Sequence, residues 1–450
     1  MLMLLDNLIY LVVLSFVFML IFKLFLNKNR LLSKTICFFL SLHVILVAFI
    51  LVEQHRFKIN LANSIFMDDG EAYSANGWQI STALTGNIPS QASIAQMRGI
   101  HLTDRGWGLE RYYNDYIKKK IIPPPEEYHI RYITYLYSII YAAYGFKPVL
   151  INFMNVMLHL LTAILIYQSV ISIFDRRVAY LSSLFFLLNP ISFYYSSTKT
   201  QDSLVMFMVY LSIYCFLMII KKRNYWYTLP IFPLFYIIYN FLKAEYLVPL
   251  LAVFAVASVI IIIKNNKRMF FLLMIFILFL LNSTNIGLRG KIKFYAVNVL
   301  NDSVIHQKAF CNTGGQVYSL FIPGKDARDY TLREWASYAL RGWYHMLSEP
   351  ILSSNSSVKL ILFFPIKVVF LILCLLAFPG ILMAMRYGHT EAVIFLSIII
   401  IFGTGLAISS GNIGTMLRHR DIITPIVFIF SSFYISRMFI RSDFLVKAEG

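Results

Sequence analysis

Charge is what this chain has least of. Of its 450 residues 14% are charged, against about 25% in a soluble domain. Hydrophobic residues make up 59% and mean hydropathy is +0.69. A single water-soluble core and a disordered chain are both excluded. Acids are scarcer than bases, 22 against 40, which leaves a formal net charge of +18. Cysteine is nearly absent. Cys37, Cys215 and Cys374 fall in apolar runs and only Cys311 in a polar one, so neither an intramolecular disulfide scaffold nor a cysteine metal site is offered. The sequence has no P-loop, no GxSxG, no Rossmann fingerprint and no zinc-ligand spacing, which excludes a nucleotide-sugar domain. It shows no 20–50-residue repeat and no Gly/Ser linker. No small-residue cleavage motif follows the first apolar run, so that run reads as a span and not as a signal peptide.

What is abundant is long apolar runs. A spanning helix needs roughly 20 apolar residues, because lipid satisfies no backbone group. Eleven runs qualify or come close: 8–26, 35–52, 149–174, 178–197, 203–220, 225–242, 246–263, 269–286, 360–385, 391–409 and 422–436. The expected fold is an all-α polytopic membrane protein of about eleven transmembrane helices. It divides into an N-terminal hairpin (1–52), a first outer loop (53–148), central membrane helices (149–286), a second outer loop (287–358) and C-terminal helices with a basic tail (359–450). Interfacial helices are expected in both outer loops.

Sidedness follows from charge. Six short segments, around Lys28–Lys34, Arg176/Arg177, Lys221–Arg223, Lys264–Arg268, Arg386 and Arg437–Lys447, hold 15 basic and 3 acidic residues. The long loop 53–130 holds 8 basic and 9 acidic ones. Short basic loops face the cytoplasm. All six share one side only if the tyrosine-rich run 131–146 does not cross, so it is expected to be interfacial or re-entrant, its ring bodies buried and its hydroxyls wet. The N-terminus is then outside and the C-terminus inside, in the inner (cytoplasmic) membrane. The cations sit scattered at helix ends, which argues against nucleic-acid binding.

Polar groups able to do chemistry gather at the outer edge. In FMDDGEAY, adjacent Asp68 and Asp69 raise each other's pKa, which suits one of them to take a proton from a hydroxyl. Tyr73 lies one helical turn beyond Asp69. A plain turn and N-cap would use the same residues. In SSTKTQDSL, Asp202 stands at the mouth of a span with Lys199 beside it; a simple cap is the blander role. Lys243 and Glu245 share an outer turn, where an exposed ion pair has little consequence. In GNIGTMLRHRDIITP, Arg418, His419 and Arg420 lead into the last span on the side the positive-inside rule disfavours. Headgroup anchoring would use them, and so would a phosphate ligand, which arginine matches in fork geometry. TLREWASYALRGWYHMLSEP reads as an amphipathic surface helix.

In order and sidedness these stretches resemble the polytopic GT-C glycosyltransferases, glycosyltransferase family 39 in particular. That family includes protein O-mannosyltransferases, the aminoarabinose transferase of lipid A and bacterial polysaccharide-locus members. FMDDGEAY resembles the acidic motif of the first outer loop. The stretch from IIPPPEEYHI to MNVMLHLLTAILIY resembles the proline-led interfacial helix and the span after it. FDRRVAYLSSLFFLLNPISFYYSSTKTQDSL resembles the basic turn, the proline-containing span and the second outer acid. GNIGTMLRHRDIITP resembles the basic lead into the final span. Two departures are a span before the usual first one and Gly70 where relatives often carry an acid.

The resemblance implies a polyprenyl-phosphate sugar donor, a glycan, lipid or protein acceptor, and inverting transfer at the extracytoplasmic face. By carry-over Asp69 is the general base and Asp68 its companion. Asp202 takes the second acidic position, and Lys243, Arg418 and Arg420 lie near the lipid phosphate. No metal or other cofactor is required, and a divalent cation such as Mg2+ is compatible with the carboxylates. Two alternatives use the same face or membrane: a repeat-unit polymerase or ligase relying on Arg333, Arg341 and His345, and a lipid-linked sugar flippase or transporter with related halves and broken helices.

Overall fold

The computed structural model describes residues 2–27, 29–57, 73–74, 77–78, 81, 85, 132–221, 252–256, 301, 304–305, 307–308, 318–349, 358–389, 392–411 and 413–438. Among these the protein is all-helical, with no strand. The helices used below are α1 (Leu2–Phe25), α2 (Arg30–Phe57), α3 (Tyr132–Tyr144), α4 (Pro148–Ile171), α5 (Arg176–Leu188), α6 (Pro190–Ser196), α7 (Asp202–Ile220), α8 (Leu332–Ser348), α9 (Val358–Arg386), α10 (Ala392–Ser397), α11 (Gly403–Ser409) and α12 (Ile413–Met438). A π-helical stretch, Ile398–Phe402, joins α10 to α11.

Among the described residues six helices are long and apolar enough to cross a membrane: α1, α2, α4, α9, the continuous run Ala392–Ser409, and α12. The pair α5 and α6 makes a seventh if it counts as one span, and α7 is apolar but shorter. The expected runs 225–242 and 269–286, and all but 252–256 of the run 246–263, lie outside the described residues. Large apolar side chains on α1 and α9, Phe16, Phe25, Leu375 and Phe378 among them, are exposed. That is the surface a membrane protein turns to lipid.

Local chemistry explains the boundaries. Asp175 caps α5, accepting from the backbone N–H groups of Arg177 and Val178 at 3.0 Å each. The run expected to be one span at 178–197 is broken. Pro190 lacks an N–H and drives Asn189 into extended backbone (φ −67°, ψ 110°), and α6 leaves α5 at 63°. Asn189 Oδ1 caps the new helix at Ile191 N, 3.2 Å away. The last span was expected at 422–436, but α12 already begins at Ile413, so Arg418, His419 and Arg420 belong to its first turns and not to a loop. Small residues set the closest approaches: a β-carbon on Gly380 of α9 would overlap the carbonyl of Phe430 on α12.

The helix ends sort into two groups. At one end Asn29 meets Tyr167 (3.5 Å), Lys221 Nζ donates to the carbonyl of Ser172, and Arg437 pairs with Asp175 at 3.2 Å. The described short basic segments lie here. At the other end Lys147 holds Asp6 at 2.9 Å, His43 Nε2 meets Ser196 Oγ at 2.9 Å, and Tyr318 N donates to the carbonyl of Gly411 at 3.2 Å.

α3 belongs to this second end. It has 13 residues, about 20 Å of helix against a hydrocarbon core of about 30 Å. Its Tyr137 hydroxyl donates to the carbonyl of Lys199 at 2.8 Å. Its Tyr141 hydroxyl bonds Ser74 Oγ at 2.5 Å, and Tyr73 and Trp78 are buried in the same cluster. Gly77 permits this approach, since a β-carbon there would lie 2.8 Å from Tyr137 Cβ.

α8 covers the second end. Thr331 and Glu334 form its capping box, and Lys325 Nζ reaches Glu334 at 2.7 Å. Trp343 Nε1 donates to Thr404 Oγ1 at 2.9 Å, so the expected surface helix docks one face on α11.

Candidate active site

The site is built from the polar face of α4. Asn152, Asn155 and His159 fall at i, i+3 and i+7, on one side of an otherwise apolar helix. The first two hold the turn 197–201, whose residues are almost wholly buried. Asn152 Nδ2 donates to the carbonyl of Ser197 at 2.9 Å; Asn155 Nδ2 donates to the carbonyls of Thr198 and Thr200 at 2.7 and 2.8 Å. With Tyr137 on the carbonyl of Lys199, four consecutive carbonyls are held by side chains. A buried turn needs such partners, because an unmet carbonyl is costly. The turn delivers Asp202 to the first position of α7.

There Asp202 Oδ2 lies 3.6 Å from Arg418 Nη1, with 27% and 19% of the side chains exposed. The Arg418 guanidinium sits 5.9 Å from the centre of the Tyr195 ring. A narrow cleft opens beside the pair, lined by His159, Ser192, Tyr195, Asp202, Ser203, Met206, Arg418, Asp421 and Ile422. The floor is Asp421, which accepts from Ser192 Oγ at 2.5 Å and from the Asn189 amide. Asp421 thereby ties the α5–α6 break to α12. Tyr210 adds a bond from its hydroxyl to the carbonyl of Ile422, at 3.1 Å.

The structure treats the expected site residues differently. It brings Asp202 and Arg418 together and puts Lys199 in the turn between α6 and α7, 3% exposed. Tyr73 is buried at the same end, against α3. Arg420 is elsewhere: it is 2% exposed, and its Nη1 donates to the carbonyls of Met346 (3.2 Å) and Glu349 (2.9 Å). It anchors the C-terminal end of α8, where a cation suits the helix dipole. His419 bonds Ser410 Oγ at 2.8 Å. Of the three basic residues, only Arg418 lines the cleft. Asp68, Asp69, Lys243 and Glu245 lie outside the described residues. In α8, Arg341 donates to the carbonyl of Leu320 at 2.7 Å and His345 stacks on Tyr318 at 4.1 Å.

Sequence reasoning missed Asp421, Asn189 and Ser192 and passed over Asn152, Asn155 and His159. Two signals were available: the Asn-Pro dipeptide at 189–190, which favours a turn, and the helical spacing of 152, 155 and 159. Among the described residues no three His, Cys, Asp or Glu side chains are grouped to hold a metal ion.

Residues 131–287 match the family model of dolichyl-phosphate-mannose-protein mannosyltransferases. The matched third of the chain contains α3 to α7, the buried turn and Asp202. The match supports the GT-C superfamily, and with it a membrane glycosyltransferase that draws on a lipid-linked sugar. No curated protein and no solved structure matches the chain.

Proposed function

We propose that the chain is an inverting glycosyltransferase that moves a sugar from a polyprenyl-phosphate donor to a hydroxyl of a glycan, lipid or protein acceptor. The cleft end is the extracytoplasmic one of an inner membrane, since the basic segments gather at the opposite end. The observation that carries the reading is the Asp202–Arg418 pair beside a cleft at that end, with Asp202 inside the family-matched segment.

In the proposed reaction Asp69, with Asp68 beside it in sequence, accepts the proton of the acceptor hydroxyl. The hydroxyl oxygen attacks the anomeric carbon, the bond from that carbon to the phosphate oxygen breaks, and polyprenyl phosphate leaves with the electron pair. Configuration inverts because there is one displacement. Arg418 meets the charge growing on the departing phosphate. Asp202 holds Arg418 and, with Lys199 and Tyr73, shapes the donor side of the site; Lys243 and Glu245 are assigned to its rim.

The test is sugar transfer in liposomes from undecaprenyl-phosphate mannose and its glucose counterpart, with wild type, Arg418→Ala, Asp202→Asn and Asp69→Asn. Loss of one well-placed charged donor costs about 100-fold in rate, and Arg418→Ala is expected to show it. Full activity in Arg418→Ala at normal expression would remove the phosphate role. Full activity in Asp69→Asn would remove the base role.

A further inference from the structure

His159 lines the cleft and takes no part in the scheme above. It is 3% exposed. Its ring packs between His43, with centroids 5.2 Å apart, and Phe186, at 4.5 Å. Nε2 finds no hydrogen-bond partner among the described residues. A buried ring nitrogen without a partner is expensive in a low-dielectric interior. Asp202, on the same cleft, presents a second such atom: Oδ2 is buried and accepts no hydrogen bond from the described residues, its nearest cation being Arg418 at 3.6 Å, beyond hydrogen-bond range.

One class of ligand group answers both atoms at once. A hydroxyl donates once and accepts twice, so it can give its proton to a carboxylate and receive one from an imidazole. The cleft is narrow, and its lining adds Ser192 and the Tyr195 ring. Its free volume of about 20 Å³ is room for a hydroxyl-sized group and not for a whole sugar ring. The geometry points to a subsite in which His159 and Asp202 bind the exocyclic hydroxymethyl of a hexose on the lipid-linked donor, making His159 a specificity-determining residue. This rests on the donor class proposed above.

Binding separates the two. The full chain in nanodiscs is titrated with three probes: undecaprenyl phosphate, undecaprenyl-phosphate mannose and its 6-deoxymannose counterpart. Wild type is expected to bind the mannosyl lipid about tenfold more tightly than the 6-deoxy lipid, the worth of one charge-assisted hydrogen bond. His159→Phe keeps the aromatic packing against His43 and Phe186 and is expected to erase that preference while binding bare undecaprenyl phosphate as wild type does. His159→Gln, which restores a donor, is expected to recover part of it. Three results would overturn the subsite: no preference in wild type, a preference that survives in His159→Phe, or an equal loss for all three lipids, which would make His159 a phosphate or packing residue. Failure of wild type to bind any of the three, or to transfer, would instead bring down the donor class.

Discussion

Replacing Asn155 by alanine removes two hydrogen bonds from a place that water reaches poorly. The Asn155 side chain is fully buried, and its amide donates to the carbonyls of Thr198 and Thr200 at 2.7 and 2.8 Å. Each stranded carbonyl costs about 1–3 kcal/mol. The Asn155 Oδ1 atom has no partner among the described residues, so its removal offsets part of the cost. The net destabilisation is expected to be about 2–3 kcal/mol, roughly twice that of Asn152→Ala, which frees one carbonyl. Activity falls further than stability, because the turn carries Asp202. The assay pairs melting of the detergent-solubilised chain, followed by size-exclusion of the remaining monomer, with transfer rates at a temperature where every variant is folded. Asn155→Asp tests the cause. It keeps the shape, but its carboxylate offers the two carbonyls acceptors in place of donors, so it is expected to be worse than alanine. An Asn155→Asp chain that melts and turns over like wild type would refute the account of the turn.

Other outcomes follow from separate contacts. Gly77→Val is expected to detach the 73–78 segment from α3, since even a β-carbon would sit 2.8 Å from Tyr137 Cβ and 3.1 Å from the carbonyl of Thr134; a cysteine at Ser74 should then label faster than in the parent. Asp175→Ala is expected to cost about 1 kcal/mol more in thermal stability than Arg437→Ala, because Asp175 also caps α5, while their shared ion pair is well exposed and worth little. Glu334 is held down to about 2 by the Lys325 hydrogen bond first, then by the backbone and hydroxyl of Thr331. A lowered carboxylate stabilises above its ordinary pKa of 4.5, and that contribution disappears as pH falls toward 2. Trp343 fluorescence should therefore report loosening of α8 between pH 4.5 and 2, with Glu334→Gln already loosened at neutral pH.

The helices were legible where hydropathy speaks alone. Runs such as 149–174 and 360–385 mark α4 and α9 to within a few residues, because about 20 apolar residues have few other uses. Asp202 was legible as a lone acid at a helix mouth. Asp421 was not. A hydropathy window places RHRD outside the bilayer, whereas α12 starts at Ile413 and absorbs these charges by giving each its own partner: Asp202 for Arg418, Ser410 for His419, the α8 carbonyls for Arg420, and Ser192 for Asp421. Composition along the chain cannot see partners that arrive from residues 192–410. The break at Pro190 was written in the Asn-Pro pair, but the apolar run 178–197 outweighed it.

The two groups of helix ends also constrain the chain between them. α1 runs from the Asp6–Lys147 contact to the Asn29–Tyr167 contact, and α2 returns toward Ser196 through Thr35, which meets Tyr180, and His43. α4 starts again from the cleft end at Lys147. The chain therefore leaves α2 and reaches α4 on the same side, and any crossings between them are even in number. The stretch between has no run of 20 apolar residues, and α3 is about 10 Å too short to span. Tyr73, packed against α3, lies on the leaflet of Asp202. Cysteine accessibility would decide it: engineered Thr85→Cys and Asp326→Cys, at two exposed positions of the cleft end, should respond to a membrane-impermeant reagent from the same side of the membrane, and opposite responses would refute the shared leaflet.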